Sequence, residues 1–123
     1  MRIDAPQGKE GTRTMKVFSL SEMIGGWFIG EFEPSCFRTS RFEVGSKRYL
    51  KGDVEPAHIH RVATEVTLII SGRVRMSGHE LAAGDIVLLE PGEASGFEAL
   101  ENSVTVVVKS PSVPGDKYLV TTE

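Results

Sequence analysis

The sequence predicts an all-β fold of short antiparallel strands, closed as a sandwich or barrel. Short apolar or alternating runs recur at 27–32, 40–44, 47–50, 65–70, 73–76, 86–90, 94–100 and 104–109. Turn-forming pairs fall between most of them: Gly45-Ser46, Gly52-Asp53, Ser71-Gly72, Gly84-Asp85, Pro91-Gly92 and Glu101-Asn102. A helical period is nearly absent, with one short exception near the N-terminus.

Taken in order, residues 1–14 are polar, glycine-bearing and without strand or helix period, and read as a flexible arm. Residues 15–123 read as a single domain, and Met1 and Met15 both stand as candidate starts. Ser19 and Glu22 have capping-box spacing, and Gly25-Gly26 would stop the helix after about a turn and a half. The strand runs follow. The tail from Ser110 holds prolines and a glycine. It is expected to lie over the surface as an extended strap, anchored by Tyr118 and Leu119.

Charge and cysteine content bound the function. A net charge of -3 argues against general nucleic-acid binding, which needs a basic face. Cys36 is the only cysteine, so no intrachain disulfide forms, and a reducing compartment is expected. No apolar run approaches the ~18 residues of a membrane span. The N-terminus lacks the apolar stretch of a secretory signal. The expectation is a cytoplasmic protein that binds neither membrane nor nucleic acid.

Two of the three histidines, His58 and His60, stand one residue apart. On a strand they share a face. Pro56 just upstream suits a strand start or edge. A turn through 61–64 would make a hairpin with the run at 65–70 and bring the Glu65 carboxylate beside both imidazoles. Two imidazoles and a carboxylate are a standard ligand set for a divalent transition metal. A lone strand pair of histidines is more often a hydrogen-bonded surface or core feature. A three-imidazole zinc site would need His79, which the Ser77-Gly78 turn signal places at an exposed turn.

The whole window is more specific than the pair. Gly52, five residues, His58, one residue, His60, four residues, Glu65, six residues and Gly72 follow in order. This resembles the first motif of the cupin superfamily, with no position missing. Gly84, Asp85, Pro91 and Gly92 are similarly placed to the second motif. The resemblance spans about 41–108. It implies an RmlC-like jelly roll, a double-stranded β-helix, with a metal inside the barrel held by His58, His60 and Glu65. The cofactor it implies is iron, zinc, manganese or nickel. One departure stands out. The family's usual fourth ligand is a histidine three residues past the turn glycine, and here that position is Ser95. Either water fills the vacated position, or the site has weakened and binds its ligand with little metal.

Further pocket candidates are Arg48, Tyr49 and Ser95. Strict alternation puts Arg48 on the face of Phe42, Val44 and Leu50, which would carry it into the barrel. A bulge at Gly45-Ser46 would turn it to solvent instead. Tyr49 and Tyr118 are donors but more often ordinary rim or core residues. Trp27 is expected at the barrel wall or in a dimer contact. Glu90 and Glu93 read as a solvated rim, and Cys36 has no base at nucleophile spacing. No catalytic residue is assigned. Three functions compete: a metal-dependent enzyme on a small molecule (sugar isomerase, epimerase or dioxygenase), a non-catalytic small-ligand binder, and a purely structural barrel. A homodimer is expected, with the run at 25–32 and the preceding arm adding to a partner's sheet or packing across it.

Overall fold

A computed structural model describes residues 14–120 of the chain. The expected arm lies outside the described residues except for its last position. The strands are β1 (Trp27–Gly30), β2 (Phe37–Arg38), β3 (Glu43–Tyr49), β4 (Val54–Ile59), β5 (Thr64–Ser71), β6 (Arg73–Met76), β7 (His79–Ala82), β8 (Ile86–Leu89), β9 (Ser95–Ala99), β10 (Ser103–Ser110) and β11 (Tyr118–Leu119). They form two facing sheets, ordered β2-β1-β3-β10-β5-β8 and β11-β4-β9-β6-β7. All pairs are antiparallel except β1 with β2. No helix among the described residues is long and apolar enough to cross a membrane.

The inner face of the larger sheet changes character along its strands. Side chains alternate across each strand, so the register lays them out in rows. Ile69, Thr105 and Lys47 make one row, Thr67, Val107 and Gly45 the next, and Glu65, Lys109 and Glu43 the third. The apolar core sits towards the Ile69 end, where Ile69, Val74, Met76, Phe97 and Ala99 are buried together. Tyr49 lies against Phe97 there, with ring centroids 4.2 Å apart. At the opposite end the interior carries charge.

The outer face of the same sheet is apolar. Leu88, Val66, Val108 and Val44 form one outward cross-strand row, and Ile86, Leu68 and Val106 form its neighbour. Ile86 and Leu88 are 66% and 57% exposed.

Several local expectations are corrected. The capping box at Ser19 and Glu22 is present, but it closes only a three-residue 3-10 turn, Leu20–Glu22. Gly25 and Gly26 follow at positive φ and leave no room for a second turn. β3 runs unbroken through Gly45-Ser46, so no turn divides 40–44 from 47–50. Glycine is needed there for another reason: a Cβ at Gly45 would meet Trp27 Cε3 at 2.7 Å. His79 begins a strand, β7, opposite Met76, and is exposed as expected. The strap holds to expectation, Tyr118 and Leu119 pairing with Ile59 and His58.

Gly72 closes the tight connection between β5 and β6 at φ 85, where a Cβ would meet Asn102 O at 2.3 Å. Gly78 has a similar φ of 80 but open space around it. Gly78→Ala should therefore cost only the left-handed backbone strain, about 1–2 kcal/mol. Gly72→Ala should cost clearly more. Urea unfolding of both variants checks this; equal losses would contradict the packing at Gly72.

Candidate metal centre

β4 carries His58 and the chain leaves it at His60, while Glu65 is the second residue of β5. These strands belong to different sheets, so the expected hairpin does not exist. The segment 60–64 instead crosses from one sheet to the other. Glu65 meets the imidazoles across the barrel interior.

Asp116 holds that crossing in place. Its carboxylate accepts the backbone N–H groups of Arg61, Val62 and Ala63, at 2.8, 3.1 and 2.9 Å. Its backbone carbonyl accepts the Nδ1–H of His60 in a short hydrogen bond. A carbonyl can only accept, so Nδ1 carries the proton and Nε2 is the nitrogen left to ligate. His60 Nε2 lies 3.0 Å from Glu65 Oε2. In the neutral tautomer two lone pairs face each other at that distance, which requires a proton or a metal cation between them.

Among the described residues, His58, His60 and Glu65 each offer a ligand atom within 4.8 Å of the others. Modest side-chain rotation brings such a set to metal bond lengths near ~2.1 Å. His58 is half-buried, and its Nδ1 lies 3.3 Å from the Pro56 carbonyl, which leaves its Nε2 free as well. The side chains of His60 and Glu65 are 5% and 12% exposed. The donor set therefore fits a divalent transition metal.

The proton energetics agree. Burial lowers the His58 pKa below the ordinary imidazole value and favours the neutral, ligating form. The hydrogen bond with Glu65 raises that of His60 against the opposing effect of burial. Burial pushes the Glu65 carboxyl up, but the hydrogen bond and charge of His60, with Lys109 nearby, outweigh it and hold the group ionised.

The three residues open onto a cavity of about 140 Å³. Ser95 lines it from β9, directly opposite His58 in the register and 5% exposed. Its hydroxyl donates to the Gly96 carbonyl at 2.7 Å. Tyr49 also lines the cavity, its hydroxyl donating to Glu55 at 3.2 Å. Burial raises the pKa of Tyr49, so the phenol stays protonated. Arg48 does not enter. It does share a face with Val44, but that face is the outer one, and Arg48 is exposed without any bulge in β3 beside it. Trp27, expected at the wall or in a dimer contact, points into the cavity and covers Gly45. Lys47, Lys109, Lys117 and Thr105 line the cavity and were not identified from the sequence. Alternation would have grouped Lys47 with Tyr49, but nothing in β3 alone marked that face as the inner one.

Asp116 is 6% exposed, and its backbone partners hold its carboxyl below the ordinary carboxylate range although burial opposes this. Three hydrogen bonds to a charged acceptor should make Asp116→Asn cost about 2 kcal/mol or more at neutral pH. A carboxyl depressed in the folded state contributes stability above its unfolded pKa, which is lost as pH falls through the folded value. The gap between wild type and variant should narrow below about pH 4. A gap independent of pH, read from urea midpoints, would contradict this role.

No protein-family model and no curated protein matches the chain. Solved structures do match its fold. A double-stranded β-helix domain protein of Klebsiella pneumoniae is 23% identical, with a TM-score of 0.64 over 89% of this chain and 100% of that one. An RmlC-like cupin of Shewanella frigidimarina is 21% identical, with a TM-score of 0.57 over 62% of this chain and 71% of that one. Oxalate decarboxylase of Bacillus subtilis is 17% identical, with a TM-score of 0.59 over 66% of this chain and 24% of that one. The two-sheet architecture, the strand order and these likenesses agree: the fold of this chain is the cupin double-stranded β-helix.

Proposed function

We propose that this protein binds one divalent transition metal through His58, His60 and Glu65 and acts there on a small molecule admitted to the barrel. The observation that carries the reading is the facing pair, His60 Nε2 and Glu65 Oε2 at 3.0 Å, with the other imidazole nitrogen already committed to Asp116. The bound metal supplies Lewis acidity, or with iron a site for oxygen chemistry. The chain's own residues do the rest. His58, His60 and Glu65 would hold the metal. Ser95 spends its hydroxyl on Gly96 and leaves the family's usual fourth position to water or substrate. Tyr49, held protonated, gives its one proton to Glu55 and presents its hydroxyl oxygen to the cavity as an acceptor. Among the candidate chemistries, iron content would favour a dioxygenase-type reaction. Zinc, manganese or nickel would favour isomerase- or epimerase-type chemistry. The competing reading, a binder with little metal, draws on Ser95 and on the lack, in the sequence, of a clear histidine or lysine general base beyond the ligands.

Metal analysis of the purified protein decides between them. The expected result is one metal ion per chain, removed by chelator, with Glu65→Gln and His60→Ala both losing it. Ser95→His should tighten binding by adding an imidazole opposite His58. Because the hydrogen bond with Glu65 keeps His60 protonated to higher pH, metal affinity should fall with decreasing pH, beginning above ~6.5. Stoichiometry near zero in wild type, or an affinity that ignores pH, would favour the metal-independent binder.

We also propose that the protein is a homodimer. The observation behind it differs from the sequence expectation. β1 is paired on both sides, by β2 and β3, and Trp27 turns inward, so this strand does not cap a partner's sheet. The two apolar rows on the outer face of β3, β10, β5 and β8 form a flat patch that a two-fold copy would cover. Sedimentation should give a dimer at tens of micromolar, and Leu88→Lys should give a monomer. A monomeric wild type would contradict this.

A further inference from the structure

The cavity beside the candidate centre is positively charged in a protein that is acidic as a whole. Three lysines line it, Lys47, Lys109 and Lys117, against two carboxylates, Glu55 and Glu65. The excess is one positive charge, and a divalent metal would raise it to three. Glu55 accepts the Tyr49 hydroxyl and Glu65 faces His60, and neither forms a direct ion pair with a lysine among the described residues.

The lysines are also placed. The indole of Trp27 lies across Gly45, with Lys47 Nζ 4.8 Å and Lys109 Nζ 4.9 Å from its ring centroid. The ring thus holds two ammonium groups within 4.9 Å of its centroid at the cavity wall. Lys109 reaches only a distant carboxylate, Glu43 Oε2 at 3.9 Å. Lys47 has no ion pair among the described residues. Burial holds the Lys47 pKa below the ordinary lysine range, which is the cost of withdrawing an ammonium from water without a partner.

An independent observation points to the same place. Thr105 stands directly opposite Lys47 in the register and is 1% exposed. Its Oγ1 is buried and has no hydrogen-bond partner among the described residues, and Thr105 is one of the residues that line the cavity. Buried hydroxyls are rarely left unsatisfied, so an acceptor that seats beside Thr105 would complete it.

We infer that the small molecule is a carboxylate, its anionic group held between Lys47 and Lys109 with a hydrogen bond from Thr105. The size is bounded by the cavity. A cavity of about 150 Å³ takes a molecule of about six non-hydrogen atoms, benzene being the reference case, and this one is about 140 Å³. The enclosed part of the ligand is therefore a carboxylate of two or three carbons. The inference deepens the proposed function by naming the ligand class of that site. It needs only the lysine wall, so it can be tested with and without metal.

The probes are glycolate, pyruvate and malonate, with pyruvamide as the neutral counterpart of pyruvate. Trp27 is the only tryptophan, so its fluorescence reports the cavity, and calorimetry supplies a second readout. The measurements are made on chelator-treated and manganese-loaded protein. Pyruvate should bind at least ten-fold tighter than pyruvamide in both forms. Lys47→Gln should weaken pyruvate by about ten-fold, as expected for a lost hydrogen bond to a charged group. Lys47→Arg should restore most of that loss, and Thr105→Val should cost about three-fold or more. Lys51→Gln, which removes the same charge at an exposed turn, should change nothing.

Chelator-treated protein that still prefers pyruvate upholds the inference even where metal analysis has removed the metal reading. Three results overturn it: no binding of any of the three carboxylates, equal affinity for pyruvate and pyruvamide, or a preference that ignores Lys47→Gln. If Lys47→Gln fails to fold, the pyruvate-to-pyruvamide ratio of wild type and of Lys47→Arg still decides.

Discussion

The site depends on one side chain far from it in sequence. Asp116 caps the crossing between the two sheets with its carboxylate and fixes the His60 ring with its carbonyl. The crossing has no strand partners of its own, and its backbone donors are satisfied by this one anion. Together with the Gly92 N–H, which donates to the His60 carbonyl at 2.8 Å, it keeps His60 across the barrel from Glu65. The short strap that follows, β11, pairs with β4 and so couples the tail to the same place. It also brings Lys117 to the cavity.

The barrel divides its interior between two tasks. Along β5 the inward residues run from Glu65 through Thr67 to Ile69, and the exposure of Ile69 is 0%. Stability is concentrated at the apolar end, where Phe97 and Val74 pack. The polar end is thereby free to carry charges that a core could not tolerate. Gly45 belongs to this division. By having no Cβ it lets Trp27 lie against the sheet and bring its aromatic surface to two lysines.

Much of this was legible in the sequence, and the rest was hidden for identifiable reasons. Period-2 alternation and turn pairs gave the strands, and the motif resemblance put His58, His60 and Glu65 in one set, although the hairpin expected to join them is absent. Ser95 was singled out by the resemblance to the second motif, and in the structure it stands opposite His58 in the register. Alternation fails to say which face is the inner one. Lys47 and Arg48 are neighbours on β3, and only the packing of β10 and β1 reveals that Lys47 faces the cavity. Asp116, Lys109 and Thr105 act across sequence separations that no local pattern records. The 3-10 turn shows the converse: its capping box is formed in full, yet a cap cannot lengthen a helix that two glycines end.

The central claim is that two imidazoles and one carboxylate from opposite sheets bind a single metal. X-ray absorption spectroscopy of the protein loaded with one equivalent of metal tests it most directly. The account predicts a first shell of nitrogen and oxygen near ~2.1 Å with the outer-shell scattering of two imidazoles, reduced to one in His58→Ala. A shell of water and carboxylate oxygens without imidazole scattering would contradict it.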